Sequence, residues 1–177
     1  MKNQRDIPKT VFAALASIYF LSCAYDPLAG SFFDFVNLPI HETGHFLFSP
    51  FGEFISVAGG SLFQVIMPLL FFGYFLWNGK PYSAAIVLFW VGQSILNVYV
   101  YANDAVVMKL VLLTGLTGSE GSFHDWNYLL TKTGLINQTK LVAGLIRLTG
   151  TAVILAAVVG SFFYATKNES ILADRDL

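Results

Sequence analysis

Charged side chains are scarce in this sequence: ten Lys and Arg and eleven Asp and Glu among 177 residues, or 12%. A soluble domain carries about twice that fraction, so a surface exposed to water on all sides is excluded. The net charge of −1 provides no basic stripe for a phosphate backbone, and nucleic acid is not expected as a partner. Cysteine is reduced to Cys23 alone. That excludes an intrachain disulfide and any cysteine zinc cluster, and Cys23 reads as a small apolar packing residue. No internal repeat, low-complexity tract or flexible linker divides the chain, so residues 1–177 read as a single membrane-embedded domain, ending in a polar tail over 167–177.

What the chain has instead is apolar length. Hydrophobic residues make up 55%, with 17 phenylalanines, and the mean hydropathy is +0.63. A spanning helix needs about 20 mostly apolar residues. Four segments approach that length: 10–25, 61–77, 83–102 and 141–165. Asp26-Pro27 and Gly30 end the first, and Asn78-Gly79-Lys80-Pro81 is a strong turn signal after the second. Only Arg147, expected to snorkel or pair with an acid, interrupts the last. The expected fold is an all-α integral membrane protein with four to five transmembrane helices. Lys2, Arg5 and Lys9 precede the apolar run 11–21, which reads as an uncleaved signal anchor. They place the N-terminus in the cytoplasm, with the plasma (inner) membrane of a bacterium as the expected location.

Between the first two apolar segments lies His41-Glu42-Thr43-Gly44-His45. Pro39 suits the start of a helix, where a missing N–H costs nothing, and the helix should end before Pro50. Residues 51–58 are short, partly alternating and β-branched, and predict a short strand or a re-entrant loop. The region 104–118 reads as an amphipathic or interfacial helix. A further short helix is expected over 125–133, capped by Asp125 or Ser122.

The motif has a mechanical reading. A helix turns about 100° per residue, so His41 and His45 share a face and can reach one zinc ion at about 2.0–2.1 Å. Glu42 lies beside that face, placed to take a proton from a water acidified by the ion. An ionisable residue at the centre of a spanning helix costs about 2.5–3.5 kcal/mol, so three clustered in an apolar segment point to use. Catalytic zinc takes three protein ligands plus water. The third is contested between Asp104, at the end of an apolar segment, and His124, in a loop bracketed by Gly and Ser; Asp125 is a further nearby candidate, as a ligand or as a residue supporting one. Whichever of Asp104 and His124 does not bind the ion would orient a ligand. Gln64, Gln93 and Asn97 lie in apolar segments, suited to holding a substrate backbone, supporting a ligand or bonding helix to helix. Gly59-Gly60 offers either passage for a substrate strand or a turn.

With these residues in view, the chain resembles the site-2 protease family of intramembrane zinc metalloproteases. The resemblance rests on His41 to His45 in a hydrophobic segment, the Gly59-Gly60 that follows, and an aspartate ending a later apolar helix. It implies zinc on His41 and His45, Glu42 as the base and Asp104 as the third ligand. The family's Asn-x-x-Pro-x-x-x-x-Asp-Gly pattern is one residue short between Asn97 and Asp104 here, without the proline or the final glycine. No PDZ-like insert is present, so a substrate-gating module is either missing or supplied by partner subunits in the membrane. The expected activity is zinc-dependent hydrolysis of peptide bonds in membrane proteins. The alternatives are a non-catalytic zinc-binding scaffold or subunit of a membrane complex, and a small transporter component whose polar residues line a pathway.

Overall fold

The computed structural model describes residues 5–112 and 114–166. The polar tail 167–177 and Lys2 lie outside them. Six α-helices follow in order: α1 (Ile7–Tyr25), α2 (Phe32–Phe48), α3 (Glu53–Trp77), α4 (Pro81–Asp104), α5 (Asp125–Lys132) and α6 (Thr139–Phe163). Helices α1, α3 and α4, and residues Ile136–Phe163 that include α6, are long and apolar enough to cross a membrane. The protein is thus an all-α membrane protein. Among the described residues, β pairing is limited to the isolated bridges Arg5–Thr166 and Val111–Thr117.

Helix α4 is the axis of the bundle. It packs against α6 where Gly92 and Gly150 meet: a methyl on Gly92 would stand 2.6 Å from Ile154 Cγ1 and 3.1 Å from the Gly150 carbonyl oxygen. Small residues permit such backbone approach, which drives helix association where lipid removes the hydrophobic force. Around this contact lie Phe20, Phe89, Leu96, Ile154 and Ala157, with Phe20 and Phe89 stacked at 5.1 Å. The outer faces of α1 and α6 expose Phe12, Leu15, Ile18, Leu148, Leu155 and Val159, as a lipid-facing surface requires. Arg147 finds no acid among the described residues: it donates to the Tyr25 carbonyl at 3.1 Å and lies over the Tyr99 ring at 5.5 Å.

Two pairings set the direction of the chain. Tyr82 Oη donates to the Lys9 carbonyl and Phe20 stacks on Phe89, so α1 and α4 run parallel. His41 meets Gln64 and His45 meets Ser56, so α2 and α3 run antiparallel. The start of α3 and the end of α4 therefore lie together at one end of the bundle. The N-terminal turn of α1 lies at the other end, joined to the end of α6 by the Asp6 N–H on the Ala165 carbonyl at 3.0 Å.

Three local expectations are corrected. Helix α2 begins at Phe32, because Ser31 and Asp34 form a capping box, and Pro39 lies inside the helix. Residues 53–58, expected as strand or re-entrant loop, are the first turns of α3: Val57, Gly59 and Gly60 are buried against α2, and that packing overrides their β-branched pattern. The region after Asp104 is not helical. Asp104 accepts the backbone N–H of Lys109 and of Leu110, and Gly115 and Gly121 adopt positive φ. The chain there folds as a loop closed by the Val111–Thr117 bridge.

Candidate metal centre

The motif helix presents His41 and His45 one turn apart, their ring centroids 4.7 Å from each other. Each ring is held from behind. Nδ1 of His41 lies 2.7 Å from Gln64 Oε1, and Nδ1 of His45 lies 2.9 Å from the Ser56 carbonyl oxygen. Carbonyl oxygens only accept, so both imidazoles carry their proton on Nδ1. Their Nε2 atoms converge on Asp125 Oδ2, at 3.0 Å from His41 and 3.1 Å from His45. Two ligand atoms on a tetrahedral zinc stand roughly 3.3 Å apart at ligand distances of about 2.0–2.1 Å. Three such atoms at this spacing repel one another unless protons or a cation sit among them, and a metal ion would take the place of the protons. That is the condition a metal site must meet, and these residues fit it.

Burial alone would push the Asp125 carboxyl up; hydrogen bonds from the two histidines outweigh it and bring it down to about 2. Asp125 therefore faces the imidazoles as a carboxylate. Glu42 stands on the solvent side of the helix and has no hydrogen-bond or ion-pair partner among the described residues. One of its carboxylate oxygens groups with ring nitrogens of His41 and His45 within 4.8 Å, and this cluster can hold a metal ion. Of the two carboxylates, Asp125 is the better third ligand, because it lies at bonding range of both Nε2 atoms while Glu42 stays unengaged. A cleft of about 390 Å³ opens over the centre, lined by Glu42 and Asp125 and walled by Leu38, Val57, Leu112 and Phe123.

Gly60 makes the room. A methyl there would stand 2.6 Å from Nε2 of both histidines. Gly44 and Gly59 bring the backbones of α2 and α3 together: a methyl on Gly44 would overlap the Gly59 carbonyl, and one on Gly59 would lie 2.8 Å from the Gly44 oxygen. The pair Gly59-Gly60 is thus neither a turn nor a strand passage but the packing face of α3.

Asp125 arrives from the far side on α5, which buries Leu129 and Leu130, packs Trp126 against Tyr99, Ala102 and Ala143, and adds two polar attachments. Trp126 Nε1 donates to Ser61 Oγ at 3.0 Å, and Asn127 Nδ2 donates to the Ala105 carbonyl at 2.8 Å. The cap is His124 rather than Asp125 or Ser122: its Nδ1 accepts the Asn127 N–H at 3.3 Å. Its other nitrogen faces Asp104 Oδ2 at 3.4 Å, so the structure pairs His124 with Asp104 rather than with the two motif histidines. No hydrogen bond forms across that separation, and the buried His124 Nε2 has no hydrogen-bond partner among the described residues. Neither Asp104 nor His124 lines the cleft. The two residues expected to compete for the ion instead brace the loop that delivers Asp125.

The amides divide. Gln64 touches His41, and Asn97 touches Gln64. Gln93 bonds Asn37, Ser31 and Asp34, tying α4 to α2. Tyr101, which sequence reasoning missed, stacks on His41 at 6.0 Å. Its signal was spacing: Asn97, Tyr101 and Asp104 share one face of α4. No family model, curated protein or solved structure matches the chain.

Proposed function

We propose that the protein is an integral-membrane zinc metallopeptidase in which His41, His45 and Asp125 hold the ion and Glu42 is the general base. The observation that carries the reading is the meeting of three lone-pair donors, two imidazole and one carboxylate, beside a carboxylate left free on an open cleft. Three protein ligands with one open position are the pattern of a catalytic rather than a structural zinc site. Bound there, zinc would polarise a peptide carbonyl and lower the pKa of a water to about 7.

The chain's own residues supply the rest. Glu42 accepts the proton of the attacking water as its oxygen bonds to the carbonyl carbon. It returns that proton to the amide nitrogen as the C–N bond breaks. Gln64 and Ser56 keep both Nε2 atoms unprotonated and aimed. Leu38, Val57, Leu112 and Phe123 line the cleft with apolar surface, suited to a peptide drawn from or beside a bilayer. Ser56 lies near the start of α3 and Tyr101 near the end of α4. Both Nε2 atoms lie at the level of Gly60, seven residues into α3, so at 1.5 Å per residue the centre is about 10 Å from that end of the helix. The substrate on this reading is a membrane protein cut at that depth or beside it, and lipid surrounds the bundle. With Lys2, Arg5 and Lys9 in the cytoplasm, the cleft opens on the opposite face.

The test is metal content and cleavage of a membrane-protein substrate by the purified chain. One zinc per chain is expected. Glu42→Gln should keep the zinc while cleavage falls about 10²–10⁴-fold, the range of a general base. A Glu42→Gln variant that cleaves at the wild-type rate, or a zinc ion closed by four protein ligands, sinks the proposal.

A further inference from the structure

We propose that Asp34 is a positioning residue for this centre: through Asn97 and Gln64 it holds His41 in the tautomer that carries its proton on Nδ1. The inference rests on the metal-centre reading in that His41 Nε2 is the atom an ion would use.

Asp34 lies in the first turn of α2, away from the cleft. Its carboxylate accepts three hydrogen bonds: the Ser31 N–H at 2.5 Å on Oδ2, and Gln93 Nε2 and Asn97 Nδ2, both at 2.8 Å, on Oδ1. A carboxylate only accepts, so Asn97 must turn its NH₂ towards Asp34. That leaves Asn97 Oδ1 facing Gln64, whose Nε2 donates to it at 3.0 Å and to the Ser94 carbonyl at 3.1 Å. With its nitrogen committed, Gln64 presents Oε1 to His41 at 2.7 Å. Each amide has an accepting and a donating end, and the carboxylate at the far end tells Asn97 which way to lie. Gln64 is 1% exposed, so bulk water does not stand in for a lost partner. Asp34, Asn97, Gln64 and His41 line one small cavity of about 150 Å³ that shares Leu38, His41 and Tyr101 with the cleft.

An asparagine at position 34 breaks this logic. Turning its oxygen to Asn97 sets its NH₂ against the Ser31 N–H. Turning it the other way sets NH₂ against NH₂ at Asn97. Relief by rotating Asn97 opposes Gln64 in turn, and a rotated Gln64 would demand an acceptor at His41 Nδ1. The proton would then move to Nε2, the atom the centre needs bare.

Imidazole ¹⁵N NMR of the metal-free full-length protein reads the tautomer, and competition with a chelator reads zinc affinity. With only three histidines the spectrum is assignable. Wild-type His41 is expected to be protonated at Nδ1. In Asp34→Asn that protonation becomes partial, and zinc affinity falls about 10–100-fold, the usual cost of losing a group that orients a metal ligand. The double variant D34N/N97D restores the tautomer and most of the affinity, because a carboxylate at position 97 accepts from the new amide at position 34 and from Gln64, while Gln93 keeps Ser31 Oγ as its acceptor. A role for Asp34 limited to capping Ser31 or holding Gln93 would not be rescued this way. Asn97→Ala leaves the Ser31 cap intact and reads the relay if Asp34→Asn does not fold; the Ser94 carbonyl makes its loss smaller. A wild-type His41 bare at Nδ1, a tautomer and affinity unchanged in the single variants, or no rescue in D34N/N97D overturns the proposal. Wild-type protein that takes up no zinc refutes the metal-centre reading, and the tautomer then decides the relay alone.

Discussion

Two imidazoles held from behind at Nδ1 and a carboxylate, with their remaining ligand atoms turned on one point, make an arrangement suited to a cation. The burial of Asp125 against His41 and His45 costs desolvation that a cation would offset. The residue that completes the set is Asp125, and its neighbours are not interchangeable with it. Asp125→Asn should lower zinc affinity at least as strongly as His41→Ala, measured by chelator competition. Asp104→Asn and His124→Gln should keep one zinc per chain and weaken its binding less, because they act only through the loop. Zinc lost completely from the Asp104 variant, with the Asp125 variant unaffected, would reverse the assignment. His41 and His45 were legible in sequence because the helical period puts i and i+4 on one face. Asp125 was legible only as a neighbour of His124: nothing local says which of two adjacent side chains a loop will turn inward. The capping bond of His124 to Asn127 decides it.

At the scale of elements, the contact between α2 and α3 is built round glycines, with Phe48 and Phe63 packed over them. Gly60→Ala should remove zinc binding, since the added methyl falls where both Nε2 atoms point, while Gly73→Ala, with nothing within 4 Å, should be tolerated. Zinc titration of the two purified variants checks this; a zinc-replete Gly60→Ala protein would mean the helices separate freely. The spanning segments were readable because apolar length is a strong signal, and the true ends were less so. Helix α3 starts at Glu53, eight residues before the expected 61. Its opening turns bury glycine and valine against another helix, and a pattern with small residues in the contact has no clear apolar stripe. The loop after Asp104 defeated the reading for a related reason. Its apolar residues Val106, Val107 and Val111 are exposed, so their periodicity did not report a buried helical face.

At the scale of the whole molecule, the parallel run of α1 and α4 places the cleft at the end away from the N-terminus. This can be read by chemistry, because Cys23 is the only thiol. In a Cys23→Ser background, Ser122→Cys at the mouth of the cleft should react with a membrane-impermeant maleimide from the face opposite the N-terminus, in sealed vesicles of known sidedness. Labelling from the N-terminal face would require the bundle to be threaded the other way. The long separation of the ligands has a further consequence, in the order of synthesis. His41 and Asp125 are 84 positions apart, so the first two ligands are inserted while the third is still untranslated. At about 5–20 residues per second, the nascent chain carries an incomplete, weakly binding histidine pair for several seconds. On the proposed ligand set, a chain released before position 125 would be membrane-inserted yet unable to close the centre, and loading with metal would be a late event in the life of this protein.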